Sequence, residues 1–135
     1  MNLTLSRCSL AAALVAALLA GCAQPQPPKV VGVIDLSERP AERALMTGMR
    51  AYEDGQYAES EKQLTTALQA SLASPRDRAA AHKYLAFIYC TTKREPQCEA
   101  AFKAARAADA GFALNKSEAG HPMWGPVYKR AIPQQ

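Results

Sequence analysis

The chain has few side chains that could catalyse a reaction, and their spacing does not assemble a recognisable catalytic group. His82 lies within an apolar helical pattern, and His121 precedes a proline near the C-terminus, where its imidazole would bond nearby backbone. General acid–base catalysis requires a group of tuned pKa held against a substrate. Glu59 and Glu61 are surface carboxylates on a short predicted helix, with no pocket between them. We therefore expect no enzyme activity, no metal and no cofactor.

Composition excludes a dedicated nucleic-acid surface. The 135 residues include 16 Lys and Arg against 12 Asp and Glu, and the positive charges are scattered along the chain. Nucleic-acid binding requires basic side chains clustered on one face. We therefore expect no nucleic-acid partner.

The N-terminal segment up to Cys22 has the pattern of an export signal that ends in a cysteine. Arg7 lies in the short polar start, and an apolar run follows from Leu10 to Ala20. A membrane-spanning helix needs about 20 residues, so this shorter run is typical of a secretory signal instead. Its end, Leu19-Ala20-Gly21-Cys22, resembles the bacterial lipobox, where lipoprotein signal peptidase cuts before the cysteine that receives the lipid.

The lipobox resemblance implies where the mature protein resides. Residues 1–21 would be removed, and Cys22 would carry diacylglycerol and palmitate-type acyl chains that anchor it in a membrane. The next residue is Ala23 and not aspartate, which by the lipoprotein sorting rule implies the outer membrane, facing the periplasm. Residues 22–36 form a tether rich in proline and glutamine at its start, followed by an apolar stretch that could be extended.

The remaining cysteines predict one disulfide. Cys8 leaves with the signal and Cys22 is acylated, so Cys90 and Cys98 remain in an oxidising compartment. An even number of remaining cysteines in such a compartment usually indicates disulfide bonds. A metal site is the alternative, but histidine and carboxylate partners at ligand spacing are missing from the sequence around them.

Residues 37–110 predict an all-α domain of four helices joined as two hairpins. Apolar residues recur at helical spacing, and breaks fall at Asp54-Gly55, Ser71–Pro75 and Thr91–Pro96. The first helix should begin near Ser37, and Gly111 should end the fourth. Residues 111–135 are rich in glycine and proline, which predicts an irregular capping segment.

The two hairpins repeat each other at a fixed offset in the sequence. Small and bulky residues match in pairs: Gly48 with Ala86, Ser60 with Cys98, Leu64 with Phe102, and Ala67 with Ala105. This pattern resembles the tetratricopeptide repeat, in which small residues lie where two helices cross. Two repeats are fewer than a stable solenoid usually needs, so the disulfide would be structural, and a second copy of the chain could supply the missing repeat.

The repeat resemblance implies a binding groove lined by the first helix of each hairpin. A groove of apolar anchors with mixed charge at its edge suits an extended or helical peptide. Alternatively, the Val30–Leu36 segment or the C-terminal tail fills the groove itself. By register, the groove residues are Leu45, Met49, Tyr52, Lys83 and Phe87.

The C-terminal tail has two interpretations. Phe112, Leu114 and Trp124 could form a lid that hides the open apolar face of the last helix pair. Alternatively, the tail is an epitope for a partner, because Trp and Tyr dominate binding hot spots. The epitope residues would be His121, Trp124 and Tyr128.

The tail also carries a narrower resemblance. It reads Phe112-x-Leu114 followed by Glu118-Ala-Gly-His-Pro-x-Trp-Gly-Pro-Val-Tyr128, and it comes after a lipobox and two repeats. With these three features the chain resembles the TssQ-type accessory lipoproteins of type VI secretion systems. This resemblance implies a non-enzymatic scaffold or adaptor whose partners are proteins of an envelope-spanning complex. A pilotin or assembly lipoprotein of another envelope complex is the alternative, and an activator of a peptidoglycan enzyme is a third hypothesis.

Overall fold

The computed structural model describes residues 39–133, which are 73% helical and contain no strand. No helix in this range combines the length and hydropathy needed to cross a bilayer. The described range forms six helices: α1 Pro40–Glu53, α2 Tyr57–Gln69, α3 Pro75–Thr91, α4 Glu95–Ala108, α5 Lys116–Ala119 and α6 Gly125–Ala131.

Proline residues open three of the four long helices. Pro40, Pro75 and Pro96 lie at the first or second position of α1, α3 and α4, where a backbone N–H has no acceptor within the helix. Ser74 also caps α3, because its hydroxyl oxygen accepts a hydrogen bond of 3.3 Å from the Asp77 backbone N–H. Helix α1 begins at Pro40 after Arg39, whose backbone is extended, so it starts later than the prediction near Ser37, a residue outside the described range.

The turns between these helices lie at the three predicted breaks. Gly55 has a φ of 73°, a left-handed conformation that glycine adopts without steric cost, and it reverses the chain between α1 and α2. Ser71 and Lys93 take the same conformation in the next two turns, with φ of 63° and 62°. The long helices therefore pack in sequence as neighbours, α1 along α2 and α3 along α4.

Small residues allow the two helices of each pair to approach closely. Ser60 is fully buried, and its hydroxyl donates a 2.7 Å hydrogen bond to the Gly48 carbonyl across the α1–α2 crossing. A Cβ added to Gly48 would lie 2.8 Å from Leu64 Cγ, so a larger residue there would force the helices apart. At the α3–α4 crossing the matching residues, Ala86 and Cys98, are also completely buried.

The C-terminal segment is not irregular as predicted, because it contains α5 and α6. The fourth helix ends at Ala108, before Gly111. A capping box starts α5: the Asn115 side chain accepts from the Glu118 N–H, and the Glu118 carboxylate accepts from the Asn115 N–H. Helix α6 packs on α4. The four helices predicted for residues 37–110 are present as α1–α4, and the two helices of the C-terminal segment bring the described range to six.

An ion pair joins the two helix pairs. The Arg94 guanidinium donates to both carboxylate oxygens of Glu61, at 2.9 and 2.7 Å, and also lies 4.5 Å from the Tyr89 ring centroid. The hydrogen bonds from Arg94 lower the pKa of Glu61. Two-point contact between a guanidinium and a carboxylate fixes their orientation, so this pair holds the start of α4 against α2.

We expect Glu61→Gln to make the domain slightly less stable at neutral pH, by less than about 1 kcal/mol because both side chains are partly exposed. A carboxyl group whose pKa is lowered in the folded state stabilises the fold at pH values above its ordinary pKa. This contribution disappears as the pH falls through the lowered pKa. The difference in melting temperature between wild type and Glu61→Gln should therefore vanish in strong acid. Glu53→Gln, on an exposed carboxylate, is the control; an equal effect of both variants at neutral pH would contradict the prediction.

Candidate functional site: an aromatic face beneath the C-terminal tail

The first helices of the two pairs bring aromatic side chains together on one side of the domain. Tyr52 of α1 lies 5.1 Å from Tyr84 and 6.1 Å from Phe87 of α3, measured between ring centroids. Tyr57, at the start of α2, lies 5.7 Å from Tyr52. Residues three apart on a helix share a face, so Met49 lies beside Tyr52. We call Met49, Tyr52, Tyr57, Tyr84 and Phe87 the aromatic face.

Charge at the edge of the aromatic face comes from one ion pair. Lys83 Nζ lies 2.7 Å from Glu118 Oε1 and 5.1 Å from the Tyr84 ring centroid. Burial, with smaller contributions from Tyr57, Tyr84 and Glu118, raises the pKa of Tyr52 to about 12. The Tyr52 hydroxyl therefore stays protonated at neutral pH and can donate a hydrogen bond.

The C-terminal tail covers one end of the aromatic face. The Trp124 ring stacks on Phe87 at a centroid distance of 4.2 Å, and His121 stacks on Trp124 at 3.5 Å. Trp124 Nε1 donates a 2.8 Å hydrogen bond to the Glu118 carbonyl. His121 Nδ1 accepts one of 3.2 Å from the Met123 N–H. The tail is therefore fixed over Phe87 by stacking and by its own hydrogen bonds.

The five residues of the predicted groove differ in their surroundings. Leu45 and Phe87 are buried in the core, so neither presents a free surface. Lys83 is paired with Glu118 of the tail. Met49 and Tyr52 remain partly exposed. The chain itself therefore occupies the Phe87 end of the groove.

Two residues of the aromatic face were missing from the groove predicted from the sequence. They are Tyr84 and Tyr57. Tyr84 lies three residues before Phe87, so its helical spacing alone indicates the same face. Tyr57 follows the α1–α2 turn, and only the folded hairpin brings it to Tyr52.

The tail residues predicted as an epitope lie mostly inside the domain. Trp124 is 8% exposed and Tyr128 is 2% exposed. Tyr128 packs on Phe102 at 5.3 Å, and its hydroxyl accepts a 3.2 Å hydrogen bond from the Leu114 N–H. His121 keeps a partly exposed edge. A role for these residues in binding a partner stays a prediction.

The other residues with reactive side chains occupy separate positions. Cys90 and Cys98 form a disulfide with their Cα atoms 5.2 Å apart, joining the end of α3 to α4. His82 is partly buried, and desolvation lowers its pKa. Within residues 39–133 no three His, Cys, Asp or Glu side chains are grouped to hold a metal. Cys22, the predicted lipid attachment site, lies outside the described residues.

Comparison of the chain with protein-family models, with curated proteins and with solved structures found no match.

Proposed function

We propose that the chain is a non-enzymatic adaptor, anchored in the outer membrane by lipid on Cys22, that binds a protein partner in the periplasm. Its finer assignment is an accessory lipoprotein of a type VI secretion apparatus, built on two tetratricopeptide-like hairpins. The lipobox sequence supports the lipid anchor, and the tail sequence between Phe112 and Tyr128 supports the assignment to a type VI secretion apparatus.

The tetratricopeptide-like assignment is supported by the matching crossings of the two helix pairs. Gly48 and Ser60 occupy the first crossing, and Ala86 and Cys98 occupy the second at the same offset in sequence. In such repeats the first helix of every pair lines the inner surface. The aromatic face lies mainly on α1 and α3, which are the corresponding helices here.

The observation that carries the proposal is the partly exposed half of the aromatic face. Met49, Tyr52 and Tyr84 are neither buried nor fully solvated, and they are contiguous with the covered Phe87. Tyrosine rings supply large contact area with little loss of conformational entropy, and their hydroxyls donate to backbone carbonyls of a bound segment. This surface therefore suits an apolar peptide segment of a partner.

A photo-crosslinking amino acid placed at position 84 tests the proposal in intact cells. We expect a crosslinked product with a protein of the secretion apparatus, and loss of that product when Met49→Glu introduces a charge beside Tyr52. The control position is Lys62, an exposed residue of α2 away from the aromatic face. Crosslinking at 84 and not at 62 would support binding at the aromatic face.

The identity of the product separates the hypotheses. A component of the sheath, baseplate or membrane complex supports the type VI assignment, whereas a secretin subunit would favour a pilotin. A crosslinked product with a second copy of this chain would indicate that the aromatic face forms a homo-oligomer and does not bind a different protein. Equal products at both positions, or none at 84, would overturn binding at the aromatic face.

A further inference from the structure

One exposed face of α1, together with the N-cap residue Arg39, carries three arginines and a methionine in a row. We propose that this face docks on the surface of a bilayer containing anionic phospholipid. We call Arg39, Arg43, Met46 and Arg50 the arginine stripe. The proposal deepens the proposed function, because it relies on the Cys22 anchor to bring the domain to the membrane.

The helical spacing of the stripe creates one continuous surface. Arg43, Met46 and Arg50 lie within an arc of about 60° along about 10 Å of α1, and Arg39 is the N-cap residue four positions before Arg43. All four are exposed, and Met46, at 53%, is one of two exposed large apolar side chains in the described range. The opposite face of α1, which includes Leu45 and Gly48, is buried against the other helices. The stripe therefore faces outward from the domain.

The charges of the stripe are not explained by the stability of α1. Among residues 39–133, Arg43 and Arg50 form no ion pair, although Glu53 lies about one turn beyond Arg50, and Arg39 reaches Glu42 only at 3.9 Å. Arg39 and Arg43 lie in or beside the first turn, where the helix dipole disfavours positive charge. Arg50, in the last turn, is favoured there. Two of the three arginines thus lie where an external anion would offset their unfavourable interaction with the helix dipole.

Two features favour a bilayer as the occupant. A polyanion such as a nucleic acid would neutralise the arginines but would gain little from Met46 near the centre of the stripe. A lipid surface offers both phosphate groups for the guanidinium ions and an apolar layer for the methionine. In sequence, α1 is also the first described helix after Cys22. Attachment at Cys22 would raise the local concentration of lipid around α1, so weak contacts suffice.

The expected size of the effect follows from the charges. Each cation near an anionic membrane surface changes the equilibrium constant for binding by about fivefold, so removing two arginines should reduce the equilibrium constant for docking by about 25-fold. The attraction is screened by salt, because the Debye length shortens from about 30 Å to about 3 Å as salt rises from about 0.01 to about 1 M. Docking should therefore weaken strongly in high salt.

The test uses the full lipidated chain, reconstituted in vesicles of phosphatidylcholine with or without phosphatidylglycerol. Met46→Cys provides a thiol for an environment-sensitive dye, since Cys90 and Cys98 are bridged. We expect lipids with nitroxide headgroups to quench the dye in vesicles that contain phosphatidylglycerol. Quenching should fall to the phosphatidylcholine level in Arg43→Gln/Arg50→Gln, and in high salt.

A matched variant isolates the position of the charge. Lys62→Gln/Arg76→Gln removes two exposed cations elsewhere and should leave quenching unchanged. A dye on Ala110→Cys, an exposed residue beyond α4, should be unquenched in both kinds of vesicle. Absence of quenching at position 46, equal quenching without anionic lipid, or an equal loss in the matched variant would overturn the proposal. The mass of the Cys22 peptide tests the anchor separately, and crosslinking at position 84 tests the adaptor function.

Discussion

Replacing Trp124 by alanine is expected to lower the free energy of unfolding by about 3–5 kcal/mol, the largest effect among the substitutions considered. The indole is 8% exposed and stacks between Phe87 and His121. Its N–H bond to the Glu118 carbonyl also disappears in the variant. The loss therefore combines a cavity over α3 with the loss of the indole hydrogen bond, while the Glu118 carbonyl keeps the 3.1 Å hydrogen bond from the His121 N–H. Urea unfolding followed by far-ultraviolet circular dichroism measures it, since Trp124 is the single tryptophan of the chain and the variant has no indole fluorescence.

The same substitution should also uncover the aromatic face. Without the indole, Phe87 becomes accessible, so the variant should bind more of an apolar dye such as ANS than the wild type does. Met123→Ala is the matched control, because Met123 is adjacent in sequence and 46% exposed. We expect that control to change stability by no more than about 0.5 kcal/mol. Equal stability of the two variants would show that the tail is not packed on Phe87.

The long helices could be predicted from the sequence because two independent signals agree at their ends. Apolar residues repeat at helical spacing within each helix, and glycine, proline or polar residues lie between helices. The observed third helix, Pro75–Thr91, extends from the last residue of the predicted Ser71–Pro75 break to the first residue of the predicted Thr91–Pro96 break. The observed fourth helix starts at Glu95, inside the predicted Thr91–Pro96 break, because Pro96 fits inside a first turn as well as before a helix.

The tail helices could not be predicted in the same way, because both are too short to show a period. Helix α5 has four residues and α6 has seven. Isolated helices of this length are unstable, so packing against the rest of the domain must stabilise them. Tyr128 of α6 supplies such packing through Phe102 and Phe112. The capping pattern of Asn115 and Glu118 was the one local signal in the sequence for α5.

The candidate site shows a similar limit. Helical register predicts that Met49 and Tyr52 share one face, because spacing fixes which residues of a helix lie on the same side, and the Tyr52 ring lies 6.1 Å from the Phe87 ring. Register does not determine which of them is covered. Lys83 meets Glu118 from 35 residues further along the chain, and Trp124 covers Phe87 from further still. Burial of the groove therefore depends on tertiary contacts that no local pattern contains.

One end of the disulfide and one end of a hydrogen bond occupy the same position in the two helix pairs. In the first pair, Ser60 donates to the Gly48 carbonyl and joins α1 to α2. Its counterpart in the second pair is Cys98, whose sulfur instead bonds Cys90 at the end of α3. The second pair therefore has a covalent link where the first has a polar one. The link closes a short loop, since the two cysteines are eight residues apart.

Removing this link with Cys90→Ala/Cys98→Ala is expected to lower the free energy of unfolding by about 2–3 kcal/mol. The reason is that the bridge reduces the conformational entropy of the unfolded chain by closing a short loop in it. In a domain of this size the melting temperature should fall by on the order of 10–20 °C. Alanine is chosen because Cys98 is fully buried and a serine hydroxyl there would need a partner. A reductant should destabilise the wild type by a similar amount and leave the variant unchanged. If the oxidised wild type and the variant melt together, the α3–α4 pair is held by its apolar contacts alone, and the bridge contributes nothing to stability.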